Sequence, residues 1–196
     1  VLGYSEACER NKAVILQQLQ TLLSGHKRVL EIGSGSGQHA CFFAPQLGHL
    51  RWQPTEMEQM LPVLQANLQQ YGNDNIAPAI ALDMMQSQSF ESRFDALYTA
   101  NTLHIMPWQA VEAGFAQMPG WLQPGALLVV YGPVKYNGKF TTASNARFDL
   151  WLKQRDPRSG VRDFEALDRL AAEAGFEFVE DISMPANNQL LLWRLK

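Results

Sequence analysis

The sequence predicts a doubly wound α/β protein: a mostly parallel seven-stranded sheet that ends in an antiparallel hairpin. Three observations predict it. Short apolar runs alternate with amphipathic stretches along all 196 residues, the pattern of βαβ units. A glycine-rich turn, Gly33-Ser34-Gly35-Ser36-Gly37, follows the first apolar run directly. The last two runs are joined by too few residues for a crossover, so they should pair antiparallel.

Residues 11–23 carry Ile15, Leu19 and Leu22 at helical spacing and stop at Ser24-Gly25. Residues 28–32 form the first strand, and a helix is expected from about His39 to Phe43. A second strand fits 50–54. Pro62 tolerates a first helical turn, so the next helix runs over 62–71 with Leu61, Leu64 and Leu68 inward and Gly72 as its cap. Residues 77–82 make strand three, ending at Asp83, and 94–99 make strand four. Trp108, Val111, Phe115 and Met118 repeat at helical spacing, and strand five, 127–131, follows the Pro124-Gly125 turn. Asp163 is positioned to cap a helix that turns Leu167, Leu170 and Ala174 inward and closes at Gly175. Strands 177–182 and 189–195 form the final hairpin. The whole chain, 1–196, is expected to be one domain. Residues 1–24 are expected to supply an N-terminal helix, and 132–162 an insertion after strand five, irregular apart from a short helix at 144–153. Open α/β sheets bind ligands at this edge, outside the carboxyl ends of their strands.

The composition excludes several classes. It is 46% hydrophobic and 18% charged, which suits a packed core. No run of about 18 apolar residues is present, so no membrane partner is expected. Cys8 and Cys41 are isolated thiols, and a reducing, cytoplasmic setting is expected rather than a disulfide framework. The histidines at 26, 39, 49 and 104 have no metal-ligand spacing, and no metal is expected. A net charge of −3 gives no footprint for a nucleic acid backbone. Between Lys135 and Asp163, however, seven basic residues (Lys135, Lys139, Arg147, Lys153, Arg155, Arg158, Arg162) stand against Asp149, Asp156 and Asp163. That excess either flanks an anionic substrate or belongs to a solvated loop.

The strongest functional signal is Val29-Leu30-Glu31-Ile32-Gly33-Ser34-Gly35-Ser36-Gly37. An apolar strand stops, turns and lets a ligand approach its backbone, which glycine permits. The N–H groups at the next helix start face that ligand. The pattern alone leaves the cofactor open, because Gly35-x-Gly37-x-x-Ala40 also fits a dinucleotide fingerprint. A tight turn with no ligand is the bland alternative. Glu31 separates the cofactors: a carboxylate inside an apolar strand is costly without a partner. A cationic amino group supplies that partner, whereas a pyrophosphate adds charge of the same sign.

This stretch resembles motif I of the class I S-adenosylmethionine (SAM)-dependent methyltransferases, an acidic residue followed by GxGxG on a Rossmann-like sheet. The resemblance implies SAM as cofactor. Glu31 would face its amino group, and Gly33, Ser34, Gly35, Gly37 and His39 belong to the same site. Glu56, just past strand two, would hold both ribose hydroxyls, with Met57 beside it. Asp83 would accept the adenine amino group while Met84 packs on the ring, and Asn101 would border the methyl-bearing sulfur. More narrowly, Tyr4-Ser5-Glu6-Ala7-Cys8-Glu9-Arg10-Asn11-Lys12, Gly35-Ser36-Gly37-Gln38-His39-Ala40, Trp52-Gln53-Pro54, Asn101-Thr102-Leu103-His104-Ile105 and residues 145–164 resemble the methyltransferase-like 26 family and its bacterial relatives. That resemblance spans essentially the whole chain and implies Arg10 and Asn11 as a lid. A plain helix start with Asn11 as N-cap is the alternative.

Methyl transfer is an in-line displacement that needs the nucleophile about 3–3.5 Å from the methyl carbon. His104 is the candidate base, because it follows strand four and titrates in the useful range; a capping or core histidine is the alternative. Tyr131 and Tyr136, with Asn145, are candidates to line the acceptor pocket, and core packing explains Tyr131 equally well. Enzymes that methylate exocyclic base nitrogens commonly carry an Asn/Asp-Pro-Pro-aromatic turn after strand four, and Asn101-Thr102-Leu103-His104 lacks it. The expected partner is therefore a small molecule, with no nucleic acid. Two further readings stay open: an NAD(P)-dependent oxidoreductase, and a non-catalytic SAM-binding module that supports a partner protein.

Overall fold

Side chains and proline decide where the elements begin and end. The computed structural model describes residues 1–196, which form two compact units: residues 1–83 with 94–98, and residues 84–93 with 99–196.

In the first unit, α1 (Glu6–Leu22) starts at Ser5, whose hydroxyl accepts the Cys8 N–H at 3.3 Å. Glu6 and Glu9 occupy its first turn, where the helix dipole favours acids. The helix begins at Glu6 rather than Asn11. Asn11 is therefore not its cap but lies further in, buried with Ile15, Leu16 and Leu19. Asp95 fixes the start of β1 (Arg28–Ile32) by accepting the N–H groups of Lys27 and Arg28 at 2.7 and 2.8 Å. Parallel to β1 runs β2 (Arg51–Glu56), with Glu31 opposite Pro54, and β2 pairs in turn with β3 (Ile80–Ala81). The connecting helices are α2 (Gln38–Phe43) and α3 (Leu61–Tyr71).

One expectation fails here for a local reason. Only Ile80 and Ala81 of the predicted strand 77–82 pair as a strand, because Pro78 has no N–H to continue the ladder begun by Ala77 N–H to Trp52 O. Gly72 caps α3 as expected, in extended backbone with its N–H on Leu68 O; a Cβ there would stand 2.4 Å from that oxygen. Ile15, Leu19, Leu30, Phe43, Trp52 and Leu64 are fully enclosed and form the core, each worth about 1.5–3 kcal/mol of burial.

In the second unit, α4 (Trp108–Trp121) buries Val111, Phe115 and Met118. The strand β5 (Leu122–Gly132) is longer than predicted. It runs antiparallel to the last strand of the chain, residues 188–195, with Gly132 opposite Gln189. The insertion is ordered, not irregular. It holds β6 (Val134–Tyr136), β7 (Lys139–Phe140), α5 (Ala143–Arg155) and β8 (Arg162–Asp163), with the three strands in the order β7-β6-β8. Thr142 caps α5 by accepting the Asn145 N–H at 3.2 Å. Asp163 precedes α6 (Phe164–Glu173) without capping it; its carboxylate accepts the Gly138 N–H at 2.7 Å and pairs with Lys135 at 3.2 Å. The chain closes with the predicted hairpin, β9 (Phe176–Met184) against β10 (Asn188–Leu195).

The strand β4 (Phe94–Ala100) contributes to both units, and the complete sheet is seven-stranded in the order β3-β2-β1-β4-β5-β10-β9. Chain order reverses between β1 and β4, and ligands of such sheets bind off the carboxyl ends of the strands at that reversal. Glu31 and Glu56 stand at those ends of β1 and β2. No helix is long and apolar enough to cross a membrane.

Candidate cofactor site

The turn after β1 alternates left-handed glycines, Gly33, Gly35 and Gly37 at φ +70°, +56° and +79°. Two of them face different surroundings. A Cβ on Gly37 would stand 2.9 Å from Leu64 Cδ1 of α3, so close packing requires glycine there. A Cβ on Gly35 would meet nothing within 4 Å. The first glycine seats the turn on the core; the second leaves a cradle open above the backbone.

Glu31 lies under this turn and is only 2% exposed. Its Oε2 accepts hydrogen bonds from Ser34 Oγ (2.8 Å) and Trp52 Nε1 (2.9 Å), while Oε1 accepts none and no cation pairs with it. Burial pushes its carboxyl up to about 7; the two hydrogen bonds oppose that shift, and the nearby Glu56 adds to it. Ser34 is itself locked, since its N–H donates to Thr55 O at 2.9 Å and its hydroxyl accepts the Thr55 N–H at 3.2 Å. Glu56 is held by backbone on both sides: Oε2 takes the Gly35 N–H (2.7 Å) and Oε1 the Met57 N–H (2.8 Å). Each oxygen keeps a lone pair for a hydroxyl donor. Met57 is exposed beside it, and Asp83 is half-buried beyond β3.

His39 and Asn11 meet, but in the core. Asn11 Oδ1 is 2.7 Å from His39 Nε2, and Tyr98 Oη is 3.1 Å from Nδ1. That arrangement makes Nε2 the protonated nitrogen, with Tyr98 donating to Nδ1. Burial pushes the His39 pKa down to about 4, so the ring is neutral and ties α1 to α2. Arg10, proposed as a lid residue with Asn11, is exposed and pairs with Glu6 at 3.1 Å. Stitching of the N-terminal segment runs through residues the sequence reading did not single out. Leu2 N–H donates to Asn67 Oδ1 (3.0 Å), Asn67 Nδ2 donates to Leu2 O (2.8 Å) and Ser36 O (2.9 Å), and Ser5 N–H donates to Gln38 Oε1 (2.6 Å).

The remaining candidates belong to the second unit. Asn101 is left-handed at φ +56°, donates its N–H to Tyr131 O at 2.9 Å, and has a buried Nδ2 with no acceptor. His104 is 5% exposed. Burial, with Arg162 nearby, pushes its pKa down to about 4. Tyr131 lines a small cleft with it. Met84 is turned inward: its sulfur stands 3.1 Å from the Cβ position of Gly114, so its side chain is packed against α4. Tyr136 donates to Asp181 Oδ2 at 2.5 Å, and Asn145 Nδ2 donates to Thr141 Oγ1 and Asn187 O at 3.0 Å each. Both side chains thus anchor the insertion. Arg162 lines the same cleft, a position the sequence reading did not distinguish from those of the other six basic residues in its stretch.

Solved structures resemble this fold at low identity. A human N-acetylserotonin methyltransferase in complex with SAM matches with a TM-score of 0.81 at 15% identity, over 97% of this chain and 53% of its own. A putative O-methyltransferase from Nostoc punctiforme matches with 0.81 at 16%, over 95% of this chain and 56% of its own. SibL, an S-adenosylmethionine-dependent methyltransferase in its apo form, matches with 0.80 at 18%, over 96% and 55%. This chain therefore spans about half the length of each. Residues 3–195 match the model of a family described as a protein of unknown function, DUF938.

Proposed function

We propose that this chain, which belongs to the DUF938 family of proteins of unknown function, is a SAM-dependent methyltransferase acting on a small molecule. Its class I fold neighbours, the SAM-bound human enzyme among them, support the reading at the level of the fold. Glu31 carries it further. A buried carboxylate with two neutral donors and no cation is an incomplete pair, and an amino group of a cationic cofactor completes it. A pyrophosphate would worsen it, which is why the nicotinamide reading is set aside even though Glu56 would serve a ribose in either cofactor. The open cradle over Gly35 fits the same group.

In this reading Glu31 binds the cofactor's amino group and Ser34 and Trp52 orient Glu31. Glu56, fixed by two N–H groups, holds the ribose hydroxyls, and Asp83 the adenine. Gly35 lets the cofactor approach the backbone, and Gly33 and Gly37 hold the left-handed turn that presents it. The backbone at Met84, not its inward side chain, is what remains for the ring. Asn101 and His104 border the reacting methyl group. The cofactor supplies an activated methyl, and the chain's task is to align the acceptor and exclude water. The kinship with methyltransferase-like 26 proteins belongs to the proposal as well, as do a cytoplasmic setting and the single-domain organisation.

The test is calorimetric titration of the purified chain with SAM and, separately, with NAD⁺. SAM is expected to bind and NAD⁺ is not; a preference for NAD⁺ would reverse the assignment. Conversion of SAM to S-adenosylhomocysteine in a metabolite extract then separates an enzyme from a SAM-binding module.

A further inference from the structure

We infer that the cleft at His104 and Arg162 receives the acceptor's reacting atom as an anionic oxygen, from an acid already ionised at neutral pH, of which a carboxylate is the simplest. The inference rests on the methyltransferase reading for the role of the cleft, though not for the charge it selects.

The cleft lies within the second unit and is lined by Leu103, His104, Tyr131, Gly132, Val134 and Arg162 among others. Its volume is about 10 Å³, which is room for one water-sized group, so an acceptor would insert only its reacting end. His104 packs edge-on against Phe148 with ring centres 5.2 Å apart, and neither ring nitrogen has a hydrogen-bond partner. A Cβ at Gly132 would lie 3.6 Å from Nδ1, so the glycine leaves that edge of the ring uncovered.

Arg162 is placed by oxygens that carry no net charge. Nε donates to Leu103 O at 3.0 Å, Nη2 to Met106 O and to Arg158 O, and Nη1 to nothing. The guanidinium rests over the Trp108 ring, 5.6 Å from its centre. Asp149 is the acid that acts on it, yet its two oxygens are taken by Lys153 Nζ (2.7 Å) and Val161 N–H (2.8 Å). Neighbouring cations are paired elsewhere, Arg158 with Asp156 at 2.8 Å and Lys135 with Asp163 at 3.2 Å. Arg162 is thus oriented, half-buried and not neutralised.

A fixed positive charge beside a neutral imidazole favours an anion and disfavours an ammonium. It also makes His104 a weak proton acceptor, since a ring whose pKa lies near 4 rarely holds a proton at neutral pH. An ionised acceptor has no need of a base. Its oxygen forms the bond to the methyl carbon as the carbon–sulfur bond breaks. The electron pair of that bond stays on sulfur, no proton is released, and a sulfonium and a carboxylate become a thioether and an ester. His104 then contributes a neutral N–H to the bound oxygen.

The experiment titrates the purified full chain with benzoate, benzyl alcohol and benzylamine by calorimetry, and with SAM in parallel. Benzoate is expected to bind about tenfold or more tightly than either counterpart, to weaken about tenfold in Arg162→Met, and to stay within about threefold in Arg162→Lys. Equal affinity for benzoate and benzyl alcohol in the unsubstituted chain overturns the inference without recourse to any variant. So does benzoate binding that Arg162→Met leaves unchanged. Should SAM bind and benzoate show no preference, the cleft inference alone fails. Should benzoate be preferred and SAM not bind, the methyltransferase reading and the acceptor role fall while the anion site stands.

Discussion

The two units leave opposite charges unmatched. In the first, Glu31 is buried with two hydrogen bonds and no cation; in the second, Arg162 is half-buried with three carbonyl contacts and no anion. The cations nearest Arg162 in sequence are paired locally, Lys153 with Asp149 and Arg158 with Asp156. A partly buried charge that is oriented and then left without its counterion is costly. The sign of what is missing differs between the units: a cation is wanted at β1, and an anion beside Gly132. That difference suits a reaction between a sulfonium cofactor and an acidic acceptor.

The largest expected effect falls on the first unit. Glu31→Gln keeps the volume and the contact with Trp52 but removes the charge. SAM affinity should fall about 100-fold, or about 2.7 kcal/mol, the scale of a charge-assisted hydrogen bond. Calorimetry at fixed salt checks this. An unchanged affinity would make Glu31 a structural acid only and erase the comparison.

The glycine turn sharpens the same point by about 2 kcal/mol. Gly37→Ala drives a Cβ to 2.9 Å from Leu64 Cδ1 at φ +79°, so denaturant unfolding should show a loss of roughly 2–3 kcal/mol. Gly35→Ala has open space, so its stability cost is limited to the left-handed strain of roughly 1–2 kcal/mol. Its effect should instead appear in SAM affinity, because the methyl group enters the cradle. If both variants lose the same stability and bind SAM equally, the two glycines have no division of labour.

How much of this could be read in the sequence depends on where a residue breaks its local rule. Glu31 stood out because a carboxylate within Val29-Leu30-x-Ile32 is anomalous in an apolar strand. The hairpin at the end was legible because its two runs are apolar and closely spaced. Strand three was overestimated because the apolar pattern of 77–82 does not register that Pro78 lacks a donor. The helix expected at 144–153 is present as α5, although it buries Asn145 and Asp149 while leaving Leu150 and Trp151 exposed, an inversion of the usual pattern; what escaped the reading of the insertion is its three strands of two or three residues, too short to show an alternation. Arg162 was legible only as one of seven basic residues that either flank an anionic substrate or belong to a solvated loop, since they look alike until backbone carbonyls single one out. Asn11 was read as a lid residue or helix cap and His39 as part of the cofactor site, because nothing in their spacing says that the two side chains meet each other and Tyr98 in the core.

Protonation gives a third test. Burial pushes the Glu31 carboxyl up to about 7 from an ordinary 4.5, so the folded chain keeps a proton that the unfolded chain has released. Glu31 thus makes stability fall as pH rises from about 5 to 7, by up to about 1.4 kcal/mol per pH unit, and level off above. His39 and His104, pushed down to about 4, act the other way: their contribution is present above the unfolded value of 6.5 and is lost as pH falls from there toward 4. The opposing slopes should leave the unsubstituted chain nearly flat close to pH 7. Glu31→Gln should gain stability relative to it between pH 5 and 7 in unfolding titrations. SAM, which favours the ionised form, should bind more tightly at pH 8 than at pH 6. A difference between the two proteins that does not vary with pH would mean that Glu31 is already ionised throughout this range.

The smallest effect concerns the second unit and a tyrosine that the sequence offers as an acceptor contact. Tyr136 donates to Asp181 at 2.5 Å and packs on Phe164 with ring centres 5.7 Å apart. Burial and the Asp181 carboxylate raise its phenol well above the usual range, so it remains a neutral donor. Tyr136→Phe keeps the ring and deletes the donor. Asp181 is only partly buried and can exchange the lost bond for water, so the cost should be about 1 kcal/mol of stability. Affinity for SAM and for benzoate should not change if the Tyr136 hydroxyl is committed to holding β6 against β9. A loss of benzoate affinity with unchanged unfolding would instead move Tyr136 into the acceptor cleft, and Arg162 would no longer be the residue that sets its charge.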